Sequence, residues 1–318
     1  MLKYFVKKFL AIIPMLFIIS LIVFLALQIV PVDPINYMVS PDMAANTANI
    51  EALRQQLGLN DPVIIRYFRW LIDLLHGDFG YSIVNGVPIA KLIAMKLPAT
   101  IELSMVALVI SAVLGIGIGL LSAIRQNGII DYVGRIIAVI GTSIPHFFFG
   151  ILVIQLFAIK LGWFPAAGRL QYGDDSFFMK LNSLILPAIT MGISMISALL
   201  RYTRNSMLDV MNKEYVKTAR SKGIPEWKVY LKHAFRNALG PILVILMFRL
   251  PILIGGSVII ETIFSWPGIG TTILNGVTAG DYPVIMITTL MIAAAVLFAS
   301  FLVDLVNALL DPRIRIDQ

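Results

Sequence analysis

Three histidines, one arginine set deep in an apolar run, and the absence of any cysteine limit the chemistry open to this 318-residue chain. A proton relay or a metal site normally needs a second histidine or a carboxylate beside the first. His146 lies in GTSIPHFFFG (141–150) with neither nearby in sequence, which favours a structural or passage-lining role. His76 and His233 fall in a separate polar interval and a separate polar loop, so the three rings cannot readily meet. Without cysteine there is no disulfide, thiolate metal site or thiol nucleophile. No G-x-x-x-x-G-K-[ST] string is present, and Gly255-Gly256-Ser257 lacks the lysine that a phosphate-binding loop requires. An enzyme with its own catalytic set, or an ATPase, is therefore not expected.

Arg249 is the less ordinary residue. It stands inside LGPILVILMFRLPILIGGSVIIE (239–261), two residues before Pro251 and six before Gly255-Gly256. An arginine at membrane depth is costly and should face a bundle interior or a water-filled cavity. Two expectations follow: Arg249 lines a passage together with Gly255, Gly256 and His146, or it is paired with a carboxylate such as Asp304.

The other concentration of charge is Arg204–Pro241. From Arg204 to Ala238 it holds eight Lys/Arg and three Asp/Glu between two hydrophobic runs. A basic loop between membrane spans faces the cytoplasm. Met207, Val210, Met211, Tyr215 and Ala219 recur at helical spacing. Gly223 suits a helix end, Pro225 the first turn of the next helix, and Glu226 its positive end. Trp227, Leu231 and Ala234 give a second stripe. Such a helix–break–helix unit lies at the inner surface, where it can meet a soluble partner. A plain lipid anchor would explain the charge but not the break.

The elements that hold these residues follow from composition. Hydrophobic residues make up 58% of the chain, charged residues 14%, and the mean hydropathy is +0.88. That composition identifies an all-α polytopic membrane protein. The net charge of +7 sits mainly in loops between apolar runs, so topology accounts for it better than nucleic-acid binding. Lys3, Lys7 and Lys8 precede an apolar run, Phe9–Val30, that is longer than the ~7–15 residues of a signal-peptide core. It is expected to be an uncleaved first span within 1–30. Residues 31–98 carry six acids against five Lys/Arg and form an outer loop. Its short helices are expected over Ala48–Leu59 and from Asp61-Pro62 to Leu75, the second packing its apolar stripe on the membrane domain. The core, 99–310, holds spans near 99–122, 133–159, 181–202, 239–260 and 284–309, with the loop 204–238 between the fourth and fifth and a tail over 311–318. Gly115, Gly117 and Gly119 offer a close helix-packing face, and Pro145 a kink in the third span. Glu261–Gly270 is expected to be a tight, non-helical outer segment. Six spans place both termini in the cytoplasm.

Several strings carry a resemblance, in order and over nearly the whole chain: VPVDP, LGLNDP, LPATIELS, SIPHFFFG, EYVKTARSKG followed by HAFRNALGP, ETIFSWPGIG, DYP and ALLDPRIR. Together they resemble the permease subunits of ABC importers, in the oligopeptide/dipeptide/nickel permease family, and the first (oligopeptide-permease B type) of that family's two permeases. The polar loop is similar to the "EAA" loop, with Gly223 as its fixed glycine; the triplet here is Lys217-Thr218-Ala219, of which only Ala219 matches.

The resemblance implies a bacterial cytoplasmic-membrane protein working with a second, different permease, two ATPase subunits and an extracytoplasmic substrate-binding protein. ATP and Mg would then be bound by the ATPases, with no cofactor, metal or catalytic residue on this chain. Ala219, Arg220, Ser221, Lys222, Gly223, Ile224, Pro225 and Glu226 would form the ATPase-coupling segment, and Trp266, Pro267 and Gly268 would dock the binding protein. Peptides are the expected cargo, and Arg249 would bias the passage toward anionic groups such as a peptide carboxylate. Nickel or metal chelates and oligosaccharides are the alternatives within the family. A secondary transporter is the rival from another class, but it would need intramembrane coupling charges and often an internal repeat. Arg249 is the one strong candidate for such a charge, and no repeat is visible.

Overall fold

The computed structural model describes residues 2–29, 50–51, 54–55, 60–169, 176–255 and 257–310. Regular structure among them is helical apart from one isolated bridge between Tyr81 and Pro88. The helices are α1 (Leu2–Ile29), α2 (Val63–Leu75), α3 (Ile89–Ile124), α4 (Ile129–Ser143) and α5 (His146–Val153), the last continued by a π-helical turn Ile154–Lys160. Next come α6 (Phe177–Met211), α7 (Glu214–Ser221) and α8 (Glu226–Lys228); a π-helical stretch, Val229–Phe235, joins α8 to α9 (Arg236–Gly255). The chain closes with α10 (Ser257–Ile263), α11 (Ile269–Ala279) and α12 (Tyr282–Leu310).

Five helices among the described residues are long and apolar enough to cross a membrane: Phe5–Ile29, Ile89–Ile124, Phe177–Met211, Glu226–Arg249 and Tyr282–Val306. A sixth crossing is made only if α4 and α5 count together. The expected third span, 133–159, is therefore not one rod. It breaks at Ile144-Pro145 with a bend of 115°, because a residue before proline is pushed out of the helical region and proline has no N–H to donate. Ile144 is extended there (ψ 127°). In Glu226–Arg249 the first residues include Lys228, Lys232, His233 and Arg236, so the apolar crossing begins near Leu239. Helix α3 starts ten residues before its expected Ala99; at 1.5 Å per residue its 36 residues run about 54 Å, well beyond the ~30 Å of hydrocarbon. The expected Ala48–Leu59 helix lies largely outside the described residues. The Leu75 helix forms as expected, from Val63.

Chain contacts divide into two units. The first holds Thr100–Trp266 and the chain from Val296. Its centre is α6: 83% of its apolar window is buried, against 33% or less for the other four candidates. Small residues let neighbours come close. A Cβ added at Gly119 of α3 would stand 2.6 Å from the Leu200 carbonyl oxygen, and one at Gly115 2.7 Å from Leu199 Cβ. One at Gly141 of α4 would stand 2.1 Å from Ser197 Oγ, whereas Gly117 faces open space. So two of the three α3 glycines form the expected packing face.

The second unit holds Leu2–Ala99 and Pro267–Ala295. Ile89, Ile93, Ile269, Val284 and Ile287 form one core, and Phe24, Tyr67 and Met286 another. Asp281, 4% exposed, accepts hydrogen bonds from the Ser82 hydroxyl and the Ile83 amide (3.1 Å for the amide), which pins the 80–88 turn.

Candidate functional site

The polar loop folds as the glycine and proline dictate. Helix α7 ends at Ser221, and Gly223 follows at φ 73°, a conformation that L side chains rarely adopt. The Gly223 amide donates to Arg220 O (2.9 Å) and the Ile224 amide to Ala219 O (3.4 Å), the paired bonds of a Schellman motif. Ile224 then tucks against Val216, Ala219 and Val229, with Val210 of α6 beside them. Pro225 is extended (ψ 140°) and caps α8, one residue earlier than the expected first turn, leaving Glu226 as the first helical residue. The eight residues Ala219–Glu226 are thus the last turn of α7, a rigid bend and the start of α8. The helix itself is Glu214–Ser221.

Across this bend Arg220 donates to Glu226 through Nε (3.0 Å) and Nη2 (3.3 Å). Each partner stabilises the other's charged form: the hydrogen bond raises the Arg220 guanidinium above its ordinary value and holds the Glu226 carboxyl below its own. Both are solvent-exposed, so the pair adds little stability; the angle between the two arms is set by the Schellman bonds and by the packing of Ile224. Arg220, Ser221, Lys222, Gly223, Pro225 and Glu226 form an exposed ridge, Ile224 is half-buried and Ala219 is buried.

The second stripe differs from expectation. Trp227 and Leu231 are exposed (62% and 49%). The buried positions are Val229, Ala234, Ala238 and Ile242. The first step is five residues because Val229–Phe235 is π-helical, and the later steps are four. The extra residue rotates the 3.6-period stripe off the core and leaves Trp227 exposed directly after Glu226.

One residue at the base of this loop has a role not visible from its position. Arg204 of α6 donates to Asp131 of α4 through Nε (2.6 Å) and Nη2 (2.8 Å). Asp131 is fully buried; it also accepts the Asn127 amide (2.9 Å), with Arg135 3.6 Å away. Arg204, 73 residues along, is the partner that short-range pattern cannot reveal.

At the other end of the same unit, Thr100 Oγ1 donates to the buried Glu261 carboxylate (2.6 Å) and the Trp266 amide to Glu261 O (2.7 Å). Arg169 pairs with Glu102 (2.6 Å), and the Gly168 amide donates to Phe264 O (2.8 Å). Phe264 and Trp266 are buried (1% and 0% exposed) and Gly268 is also buried, so of the three residues expected to dock the binding protein only Pro267 reaches the surface of this chain. Trp266 is an internal anchor, and Pro267 is only half-buried. Nor is the whole segment non-helical: Glu261 lies in α10, and α11 begins at Ile269.

Arg249 lies about 15 Å from the Leu239 end of α9, near the middle of a ~30 Å hydrocarbon layer. It is half-buried, and among the described residues no carboxylate pairs with it, Asp304 included. Gly255 closes α9, and Gly256 lies outside the described residues. His146 opens α5 at the bend and is exposed. Among the described residues no three His, Cys, Asp or Glu groups gather into a metal site.

Comparison with known proteins gives two family matches. Residues 115–316 match the binding-protein-dependent transport system inner membrane component, and residues 1–104 match the N-terminal part of such membrane components. The chain is 39% identical over 317 residues to the oligopeptide transport system permease protein AppB of Bacillus subtilis (strain 168), covering 99% of this chain and 100% of that one. It is 36% identical over 315 residues to the glutathione transport system permease protein GsiC of Escherichia coli (strain K12), covering 99% of each. Among solved structures, an inward-facing MetNI methionine ABC transporter aligns with a TM-score of 0.55 at 16% identity, over 70% of this chain and 98% of that one. At that identity the likeness concerns the fold alone.

Proposed function

Because the chain belongs to the family of binding-protein-dependent transport system inner membrane components, we propose that it forms, with a second permease, the passage through which an ATP-driven ABC importer takes peptides across the bacterial cell membrane. Peptide cargo is supported by full-length relatives whose names give oligopeptide and glutathione transport. The binding protein delivers the cargo from outside. Two ATPase subunits hold ATP and Mg at the cytoplasmic face, where α7 and the bend lie, and both termini are cytoplasmic.

The observation that carries this reading is the exposed bend Arg220–Glu226, bridged by its own ion pair and followed by the exposed Trp227. A plain surface anchor needs charge but no Schellman bend and no ion pair across it. In this reading the ridge seats in an ATPase cleft. The bend is rigid and packs on Val210 of α6, so movement of the ATPases is passed to α6 instead of being absorbed in the loop. ATP drives the passage only as far as it binds the two arrangements with different affinity. Taking an equilibrium from 1:99 to 99:1 needs about 5.5 kcal/mol of such difference. Inside, Arg249, with which no carboxylate pairs among the described residues, faces the passage and favours the carboxylate that every free peptide carries.

The test is purification of the native complex, followed by ATP hydrolysis with and without the binding protein and a peptide mixture. Recovery of two ATPases and a second permease, binding-protein-stimulated hydrolysis, and release of the ATPases by Gly223→Pro in a chain that remains folded would support the reading. A chain that purifies alone under mild conditions, or ATPases that stay bound to Gly223→Pro, would overturn it.

A further inference from the structure

Helix α2 has three faces where an ordinary surface helix has two. At 100° per residue, Tyr67, Trp70, Leu71 and Leu74 share one sector of Val63–Leu75. Ile64, Ile65, Phe68, Ile72 and Leu75 share the next, and Arg66, Arg69 and Asp73 the third. The first sector is packed: Tyr67, Trp70 and Leu71 meet Phe24 of α1 and its neighbours, and Trp70 and Leu74 meet the Ile89 core. The second is bare. Ile64 is 70% exposed, Leu75 77%, and Ile65, Phe68 and Ile72 about half. Five adjacent large apolar side chains on one short helix form an uncovered stripe that water does not favour.

Contacts with α1 fix the depth of this helix. Arg66 Nη1 donates to Gln28 Oε1 (3.0 Å), while the Tyr67 hydroxyl meets Ser20 Oγ (2.8 Å) and its ring lies edge-on to Phe17 (5.8 Å) and Phe24 (5.3 Å). Ser20 and Gln28 are about 12 Å apart along the α1 axis. The arginine side of α2 therefore looks toward the polar end of α1, and the Tyr67 side looks toward the middle of its apolar run. A helix reaching Ser20 is below the surface of the hydrocarbon layer. The bare sector is continuous with the Tyr67 side, so the two together make one broad apolar arc whose middle lies opposite the charged sector.

We infer that α2 is an interfacial helix sunk into the leaflet at the Gln28 end of α1, with Ile64, Phe68, Ile72 and Leu75 packed against acyl chains and Arg66, Arg69 and Asp73 among the headgroups. Its partner is lipid; the amphipathic pattern and the depth both match that solvent. The segment that follows α1 is thus anchored to the membrane a second time, which holds the 80–88 turn close to the bilayer. The inference rests on α1 crossing the membrane, as the importer reading also requires, and on nothing about ATPases or cargo.

The chain has no cysteine, so single spin labels can be introduced without background from this subunit. Ile64→Cys, Phe68→Cys, Ile72→Cys, Arg69→Cys and Asp73→Cys would be labelled in the assembled complex in lipid nanodiscs, with partner cysteines removed. Collision with oxygen, which partitions into lipid, would be compared with collision with a water-soluble nickel chelate. Oxygen should dominate at the first three sites and nickel at the last two. Nickel dominance at positions 64, 68 and 72 would place the helix in water, and loss of both collisions would place protein over it; either overturns the inference. The same samples are assayed for bound ATPase. A missing ATPase with the lipid contrast intact would count against the importer and leave the interfacial helix standing.

Discussion

Removing Arg204 should destabilise the chain strongly for a single charge change. Arg204 is 16% exposed and Asp131 is fully buried, and the two share a bidentate contact of 2.6 and 2.8 Å. Breaking a buried pair from one side typically costs about 3–5 kcal/mol, because the remaining charge is stranded. In Arg204→Gln the stranded carboxylate keeps the Asn127 amide, and Arg135, 46% exposed, can turn inward from 3.6 Å. The lower end, about 3 kcal/mol, is therefore expected. In Asp131→Asn the arginine still has an amide oxygen and a route to water, so about 2 kcal/mol is expected. The double variant Asp131→Asn/Arg204→Gln strands neither charge. It should lose about 3 kcal/mol instead of the additive 5, a coupling near 2 kcal/mol. Equilibrium unfolding of the purified permease in mixed detergent and SDS micelles measures all four proteins. Additivity within about 0.5 kcal/mol would refute the argument, since it would mean that the two side chains do not interact across the α4–α6 contact.

Two further outcomes are expected. Gly119→Ala should destabilise the same unit by about 1–3 kcal/mol, since its Cβ would meet the Leu200 carbonyl at 2.6 Å, while Gly117→Ala, facing open space, should be silent; equal melting temperatures for the two would remove the packing argument. Arg249→Gln should lower uptake of peptides with a free C-terminal carboxylate relative to their amides in proteoliposomes, and an unchanged ratio would show that Arg249 does not act on the cargo's charge.

The spans and the bend were legible in the sequence because each depends on short-range chemistry. Hydropathy finds α1, α3, α6 and α12 and places α12 to within two residues at each end, but α3 begins ten residues before its expected start and α6 runs nine past its expected end; Gly223-Ile224-Pro225 specifies a stop, a left-handed residue and a restart whatever surrounds it. Where contacts are long-range, pattern failed in identifiable ways. A single π-turn at Val229–Phe235 rotates the buried stripe from Trp227 and Leu231 to Val229 and Ala234, and no periodicity template of 3.6 contains that insertion. Trp266 in a Pro/Gly-rich string suggests an exposed loop tip, but its burial depends on what the string packs into. Local spacing shows Asp131 only Arg135, four residues away, while its stronger partner Arg204 lies 73 residues further on. Pro145 marked the kink, but its 115° size depends on how α5 packs, with Gly150 against Thr190 and Phe264.

These long-range contacts decide how the loop can work. Coupling needs contiguous groups that move as one piece, and here they can be followed within one unit. The ridge is fixed by the Schellman bonds and by Ile224 packed among Val216, Ala219 and Val229. That cluster includes Val210, on the last turn of α6. Two turns earlier, Arg204 ties α6 to α4 through Asp131, and further along Gly141 admits Ser197 with no room for a methyl group. Helix α4 then ends at the Pro145 break, beyond which α5 turns away by 115°. In the proposed reading a displacement applied at the ridge would be carried by α6 and α4 together, because the buried Arg204–Asp131 pair and the close Gly141–Ser197 approach hold them to each other. The first place where the backbone can flex is Ile144-Pro145. If the two helices do move as one body, Pro145→Ala, which restores the missing donor, should leave ATPase binding intact while reducing binding-protein-stimulated hydrolysis. Stimulation at the unaltered level would mean that the break is not where the motion is taken up.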